Sequence, residues 1–200
     1  IADLDDSAAE IADQVDYVRE VTGSDKVNLV GHSQGGMHIK TYTQMHNGAD
    51  HVSHAVALGG NFHGTTLNGQ GEALSKIIAF APHLAAFMAS TAGIQQVVGS
   101  EFIKRLNALP DTAPGVLYTS IYSPGDTTVT PNSSSQLALG DGADVVNLDL
   151  SEVCGVAPRH DKLPTDPTVL SQVIFGLKRA PGEGPDPATC ASGEPSVVGS

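Results

Sequence analysis

The stretch Lys26-Val27-Asn28-Leu29-Val30-Gly31-His32-Ser33-Gln34-Gly35-Gly36 decides the fold. Val27 to Val30 is a short β-forming run, and Gly31-x-Ser33-x-Gly35 follows it directly. A helix is expected from just after Ser33 to about His46, ended by Asn47-Gly48. A serine between a strand and a helix, flanked by small residues, is a nucleophile elbow. The turn holds the serine in a strained backbone conformation, so bulky neighbours are excluded; Gly31 and Gly35 are expected to give that clearance. The elbow lifts the Ser33 hydroxyl off the sheet edge and aims the Gln34 N–H at the same space, where it stabilises an oxyanion. A coincidental Gly-rich turn is the competing reading.

Outward from the elbow, Ser7-x-x-Glu10 reads as a capping box, with Ile11, Val15 and Val18 at helical spacing and Gly23 as the stop. Further strands are expected over Val52–Leu58, Val116–Tyr122 and Val145–Leu150, and a last helix over Thr168–Leu177. Strands alternating with helices predict a mostly parallel α/β sheet. The segment from about 72 to 108 breaks the alternation and reads as two apolar helices. One holds Leu74, Ile77, Ile78, Phe80, Leu84, Phe87 and Met88; the other holds Val97, Val98, Phe102, Ile103 and Leu106. It is either an insertion packed into the core or a cap whose apolar residues face a hydrophobic ligand, and the two are compatible. The expected domain runs over residues 1–180, followed by an extended or disordered tail over 181–200, rich in Pro, Gly and Ser.

A serine hydroxyl needs a base and an orienting acid, which follow an elbow serine in the order Ser, acid, His. Of eight histidines only His160 lies beyond the third expected strand, so it is the candidate base. Asp126, in Tyr122-Ser123-Pro124-Gly125-Asp126 just past that strand, is the candidate acid. Its rivals are Asp141 and Asp144, which read as hairpin or turn residues, Asp149, inside a strand, and Asp161, beside the base. His63 follows a strand end and is a candidate to line the site. His51 and His54 imitate a metal pair but lack a carboxylate at ligand spacing, so no metal is assigned. His32 either packs under the elbow or shapes the pocket.

Composition narrows the partners. Asp and Glu number 22 against 10 Lys and Arg, a net charge of −12, which disfavours nucleic acid and anionic membranes. No apolar run reaches the roughly 18 residues needed to span a bilayer. Cys154 and Cys190 are either free thiols or one disulfide; the disulfide is preferred because little else holds Cys190, and it implies a secreted protein.

With these residues in place the chain resembles the class 2 lipases of the α/β-hydrolase superfamily, the small bacterial triacylglycerol lipases of Bacillus and actinobacterial type. The likeness covers most of residues 8–178. It rests on the elbow stretch, on Ala57-Leu58-Gly59-Gly60, and on Tyr118-Thr119-Ser120-Ile121-Tyr122-Ser123 running into Asp126. The resemblance implies an α/β-hydrolase fold with flanking helices, and catalytic Ser33, Asp126 and His160. It also implies carboxyl ester hydrolysis without a cofactor. The expected protein is a secreted monomer acting on a lipid or other apolar ester, in transient contact with a lipid interface. Phe80, Phe87, Met88 and His63 are then expected to contact substrate. Two departures stand out. The minimal lipases have almost nothing where this chain carries its 72–108 insertion. They also place a strand and a His-Gly loop, donor of the second oxyanion N–H, ahead of the elbow; that segment is expected upstream of Ile1 in a longer chain. A second chain supplying it, and an inactive fragment, are the alternatives. A polyester or cutin hydrolase and a non-catalytic binding protein are the rival functions.

Overall fold

The computed structural model describes residues 4–69, 93 and 95–190. Four strands, β1 (Val27–His32), β2 (Val52–Leu58), β3 (Leu117–Tyr122) and β4 (Asp144–Asp149), form one sheet in the order β1-β2-β3-β4. All neighbours are parallel, so each connection must cross over a face, as expected for helices alternating with strands. The sheet is flanked by helices α1 (Leu4–Thr22), α2 (Gln34–Met45), α3 (Glu101–Asn107), α4 (Leu150–Cys154) and α5 (Pro167–Lys178), with short 3-10 turns between them.

The period of two along β2 sorts the core into two layers. Ala55 and Ala57 pack with Val15 of α1, Ile39 and Tyr42 of α2, Phe62 and Tyr118. Val56 and Leu58 pack on the opposite face with Ile121, Leu148, Leu163 and, from α5, Val169, Val173 and Phe175. β2 and β3 are thus covered on both sides, as central strands of a parallel sheet are.

Several elements depart from the sequence expectation. α1 begins no later than Leu4, so Ser7 lies inside the helix and the Ser7-x-x-Glu10 pattern caps nothing. Leu4 and Ala8, one turn apart and both buried, carry the helix upstream of it. Val18, expected on the apolar face, is 41% exposed. Of the 72–108 insertion, residues 72–92 and 94 lie outside the described residues, and with them Phe80, Phe87 and Met88. Its second helix is only α3: Ser100 caps it by accepting from the Ile103 N–H, while Val97 forms a parallel bridge with Thr65. Phe102, Ile103 and Leu106 pack with Leu4 and Met37 as a third core cluster. Leu150 opens α4 rather than closing β4, because the Asp149 carboxylate accepts from the Ser151 and Glu152 N–H groups.

Asp144, expected in a turn, is the first residue of β4 and is paired to Arg179 at 2.6 Å. Arg179 follows α5 and is 2% exposed. Its guanidinium also donates to the Tyr118 carbonyl at 2.9 Å and to Thr119 Oγ1 at 3.0 Å, locking the end of α5 against β3 and β4. Cys154 and Cys190 form a disulfide with Cα atoms 5.5 Å apart. Closing a loop of 36 residues in the unfolded chain is worth about 3–4 kcal/mol by the chain-entropy account. The described part of the tail ends in a 3-10 turn over Pro187–Cys190.

Candidate active site

The site lies at the carboxyl ends of β1, β2 and β3, where loops leave a parallel sheet and ligands are bound. β1 runs straight into Ser33, whose φ of 57° and ψ of −116° lie in a sparsely populated region for a residue with a side chain. Such a conformation costs about 1–3 kcal/mol and persists only when neighbours fix it. Three backbone hydrogen bonds do so: Ser33 N–H to Leu58 O at 2.9 Å, Gly36 N–H to Ser33 O at 3.0 Å, and Asn61 N–H to Ser33 O at 3.1 Å.

The clearance comes from a different pair of glycines than the spacing predicts. A Cβ on Gly31 would stand 2.5 Å from the Gly35 carbonyl carbon, and one on Gly36 would stand 2.6 Å from the Gly60 Cα. A Cβ on Gly35 would meet nothing within 4 Å. Gly36 is therefore the residue that lets the start of α2 sit against the turn after β2.

Asp126 and His160 come together from loops 34 residues apart. His160 Nδ1 is 2.6 Å from Asp126 Oδ2. The Asp126 side chain is 2% exposed and that of His160 12%. The other carboxylate oxygen accepts from the Thr128 and Val129 N–H groups at 2.7 and 3.0 Å. A carboxylate only accepts, so Nδ1 of His160 carries a proton, and in the neutral imidazole the lone pair is then on Nε2. Neither that Nε2 nor Ser33 Oγ has a hydrogen-bond partner among the described residues.

Gly59 separates the serine from the pair. Its N–H bonds Ile121 O, while the preceding carbonyl, of Leu58, holds Ser33. At φ +50° its missing side chain would stand 3.0 Å from Asp126 Oδ2, 3.1 Å from His160 Nδ1 and 2.8 Å from Leu163 Cδ1. The His160 loop is tied down by Ser123 Oγ, which donates to the Pro158 carbonyl at 2.7 Å.

His32 also reaches this loop. Its Nε2 lies 3.1 Å from the His160 carbonyl, and the two imidazole centroids are 4.6 Å apart. Burial, and then the charge of His160, push its pKa below the ordinary histidine value.

Beside the elbow, Gln34 opens α2, where the N–H groups of the first turn have no intrahelical partners. Its side-chain amide donates to His38 Nε2 at 2.9 Å and accepts from Gln96 Nε2 at 2.9 Å. Asn61 Nδ2 donates to the Gln96 carbonyl at 3.3 Å. Burial lowers the His38 pKa.

His63 is placed elsewhere. Its Nδ1 faces Asn107 Oδ1 at 3.2 Å, and its Nε2 faces the Gln136 carbonyl at 3.0 Å and Asp111 Oδ2 at 3.2 Å. Both ring nitrogens are engaged by the protein, so neither is left for a substrate. Among the rival acids, Asp149 caps α4, Asp144 pairs Arg179, and Asp161 lies beside Arg159 and Lys162. His54 lies between Ser53 Oγ and the Arg179 carbonyl. Among the described residues no group of three or more His, Cys, Asp or Glu is set to hold a metal, and no helix is long and apolar enough to cross a membrane.

A family model described as the alpha/beta hydrolase fold matches residues 5–76, which carry the elbow. Lipase B of Aspergillus fumigatus superposes on 93% of the chain with a TM-score of 0.69 and 23% identity. The chain has the α/β-hydrolase fold. The same fold relates it to the mature lipase BlEst2 of Bacillus licheniformis, with a TM-score of 0.53 and 19% identity over 74% of this chain and 66% of that one. It also relates it to the product of the gene lin2722 of Listeria innocua, with a TM-score of 0.60 and 16% identity over 93% of this chain and 72% of that one. The chain spans 44% of the length of the Aspergillus enzyme. No curated protein matches it in sequence. In this fold the elbow serine, the acid after a central strand and the late histidine occur in that chain order. Sequence reasoning gave no site role to Gly59, His38 or Gln96, and left His32 undecided. Only Gly59 had a visible signal, the Gly-Gly pair at a strand end.

Proposed function

We propose that this protein is a secreted serine carboxylester hydrolase of the bacterial class 2 lipase type, acting as a monomer on acylglycerols or similar apolar esters. One observation carries the reading: a serine pinned at φ 57° at the end of β1 beside an Asp126–His160 pair whose outer nitrogen has no partner among the described residues. Ser33 Oγ attacks the acyl carbonyl while His160 Nε2 takes its proton. The Gln34 N–H donates to the oxyanion that forms. Collapse breaks the ester C–O bond, and His160 returns the proton to the departing alkoxide. Water, deprotonated by the same nitrogen, then attacks the acyl-enzyme and releases the acid. Asp126 holds the Nδ1–H tautomer and stabilises the imidazolium between the two steps. The net change is one ester and one water to an alcohol and an acid, so no redox partner is required. Phe80, Phe87 and Met88 are assigned to the acyl chain. The structural relatives named as lipases share this fold, and the disulfide agrees with an oxidising compartment.

The test is the intact mass of the protein before and after a serine-directed phosphonate, together with p-nitrophenyl ester hydrolysis. A single adduct, absent from Ser33→Ala, and a loss of hydrolysis on the order of 10⁶-fold in that variant are expected. A folded protein that takes no adduct and cleaves no ester overturns the reading.

A further inference from the structure

We propose that His32 is a positioning residue for His160, holding the base by a hydrogen bond to its backbone carbonyl and by contact with its ring. The inference rests on Ser33, His160 and Asp126 acting as proposed above. A backbone carbonyl can only accept, so the 3.1 Å contact fixes the proton of His32 on Nε2.

His160 needs such a holder. It opens a short 3-10 turn over His160–Lys162 within a loop. Among the described residues its side chain has one hydrogen bond, to Asp126, and a ring hung on one bond can rock about it. His32 opposes that motion twice. It anchors the backbone from which the ring projects, and it lays a second imidazole 4.6 Å from the first, at 35°.

His32 is itself rigid. It is the last residue of β1, in register with Leu58 of β2, and it immediately precedes Ser33. One strand end therefore places both nucleophile and base, so their spacing does not depend on two loops agreeing. His32 must also be neutral to do this, because a cation there would oppose the imidazolium that forms on His160. The ionisable groups facing it are His160 and Asp126, and burial favours its uncharged form.

Two substitutions separate the hydrogen bond from the ring. His32→Phe keeps an aromatic ring without the donor. His32→Gln keeps an N–H near the Nε2 position without the ring. For a soluble short-chain ester, His32→Phe is expected to lower kcat and the phosphonylation rate together by about 10-fold, with KM within about twofold, as for a lost hydrogen bond that loosens a base. His32→Gln recovers most of that loss. The melting temperature of each variant is read alongside. Wild-type kcat in His32→Phe overturns the proposal. So does an equal loss in both variants that tracks a lowered melting temperature, which would make His32 a packing residue. Failure of the parent protein to take the phosphonate is a separate result: it removes the catalytic reading, and this inference with it. The low-field proton signal of His160 Nδ1–H, identified by its loss in His160→Ala, tests the contact without turnover. It is expected to be sharp in the parent and broadened in His32→Phe.

Discussion

Among the described residues two Asp–His pairs stand in contrast, and only one of them leaves an imidazole nitrogen unengaged. Asp126 meets His160 at 2.6 Å, and Asp111 meets His63 at 3.2 Å. Asp126 is otherwise served by backbone N–H groups, and its histidine keeps one nitrogen without a partner among the described residues. Asp111 also binds the Lys40 ammonium at 2.7 Å and the Ala138 N–H at 2.8 Å, and its histidine has both nitrogens facing acceptors. The Lys40 side chain is fully buried. The second cluster ties α2 to the segments after β2 and α3. Proximity of acid and imidazole is therefore not the mark of a general base; the unengaged nitrogen is.

Swapping the two acids for amides gives the largest separation. Asp126→Asn removes the group that fixes the tautomer, and kcat is expected to fall by about 10⁴-fold with the fold intact. Asp111→Asn leaves Lys40 buried without its counter-charge, so stability falls by about 3–5 kcal/mol while turnover per folded molecule stays within about threefold. Denaturant unfolding and steady-state kinetics on both variants check this. The contrast collapses if folded Asp111→Asn is inactive, or if Asp126→Asn turns over normally.

A smaller effect tests how tightly the productive pair is fitted. Gly59→Ala puts a methyl group about where Asp126, His160 and Leu163 already converge, on a backbone with φ +50°. The strain is worth about 1 kcal/mol of stability. Displacing the pair is expected to cost about 10²-fold in rate, because base geometry is sensitive at the 1 Å level. A variant that loses stability but no activity would show that the pair can shift without harm.

The parts legible in the sequence were those written in adjacent residues. The elbow shows as glycine and serine spacing after a β-run. The four strands show as β-forming runs, displaced at their ends by one or two residues at most. His160 and Asp126 follow from chain order once the elbow is in place. What stayed hidden depends on approach between distant segments. Gly35 fits the motif, yet Gly36 and Gly59 are the glycines that another segment crowds. Ser7 and Glu10 spell a cap, yet Leu4 is buried against α2 and α3 and extends the helix past them. His63 resembles a site residue until Asn107, Asp111 and Gln136 arrive from other loops.

The Asp111–His63 cluster also carries a pH signature. Burial alone would raise the Asp111 pKa, but hydrogen bonds from His63, Lys40 and the Ala138 N–H hold it well below the usual carboxylate range. The hydrogen bond to Asp111 raises the His63 pKa against the cost of its burial. Asp111, depressed in the fold, adds stability above its unfolded value of about 3.9 and loses it as the pH falls below that. His63, raised in the fold, contributes fully below about 6.5 and loses its share as the pH climbs through its folded value. The cluster therefore stabilises most between about pH 4 and 6.5. His32 and His38 act in the opposite sense: their lowered values reduce stability as the pH falls below about 6.5. Melting temperatures of the parent alone would mix the two trends, so the useful quantity is the difference between the parent and Asp111→Asn from pH 3 to 9. That difference is expected to be greatest at about pH 4–6.5 and to narrow on both sides. Parallel curves would mean that the cluster is as indifferent to protonation as an apolar contact.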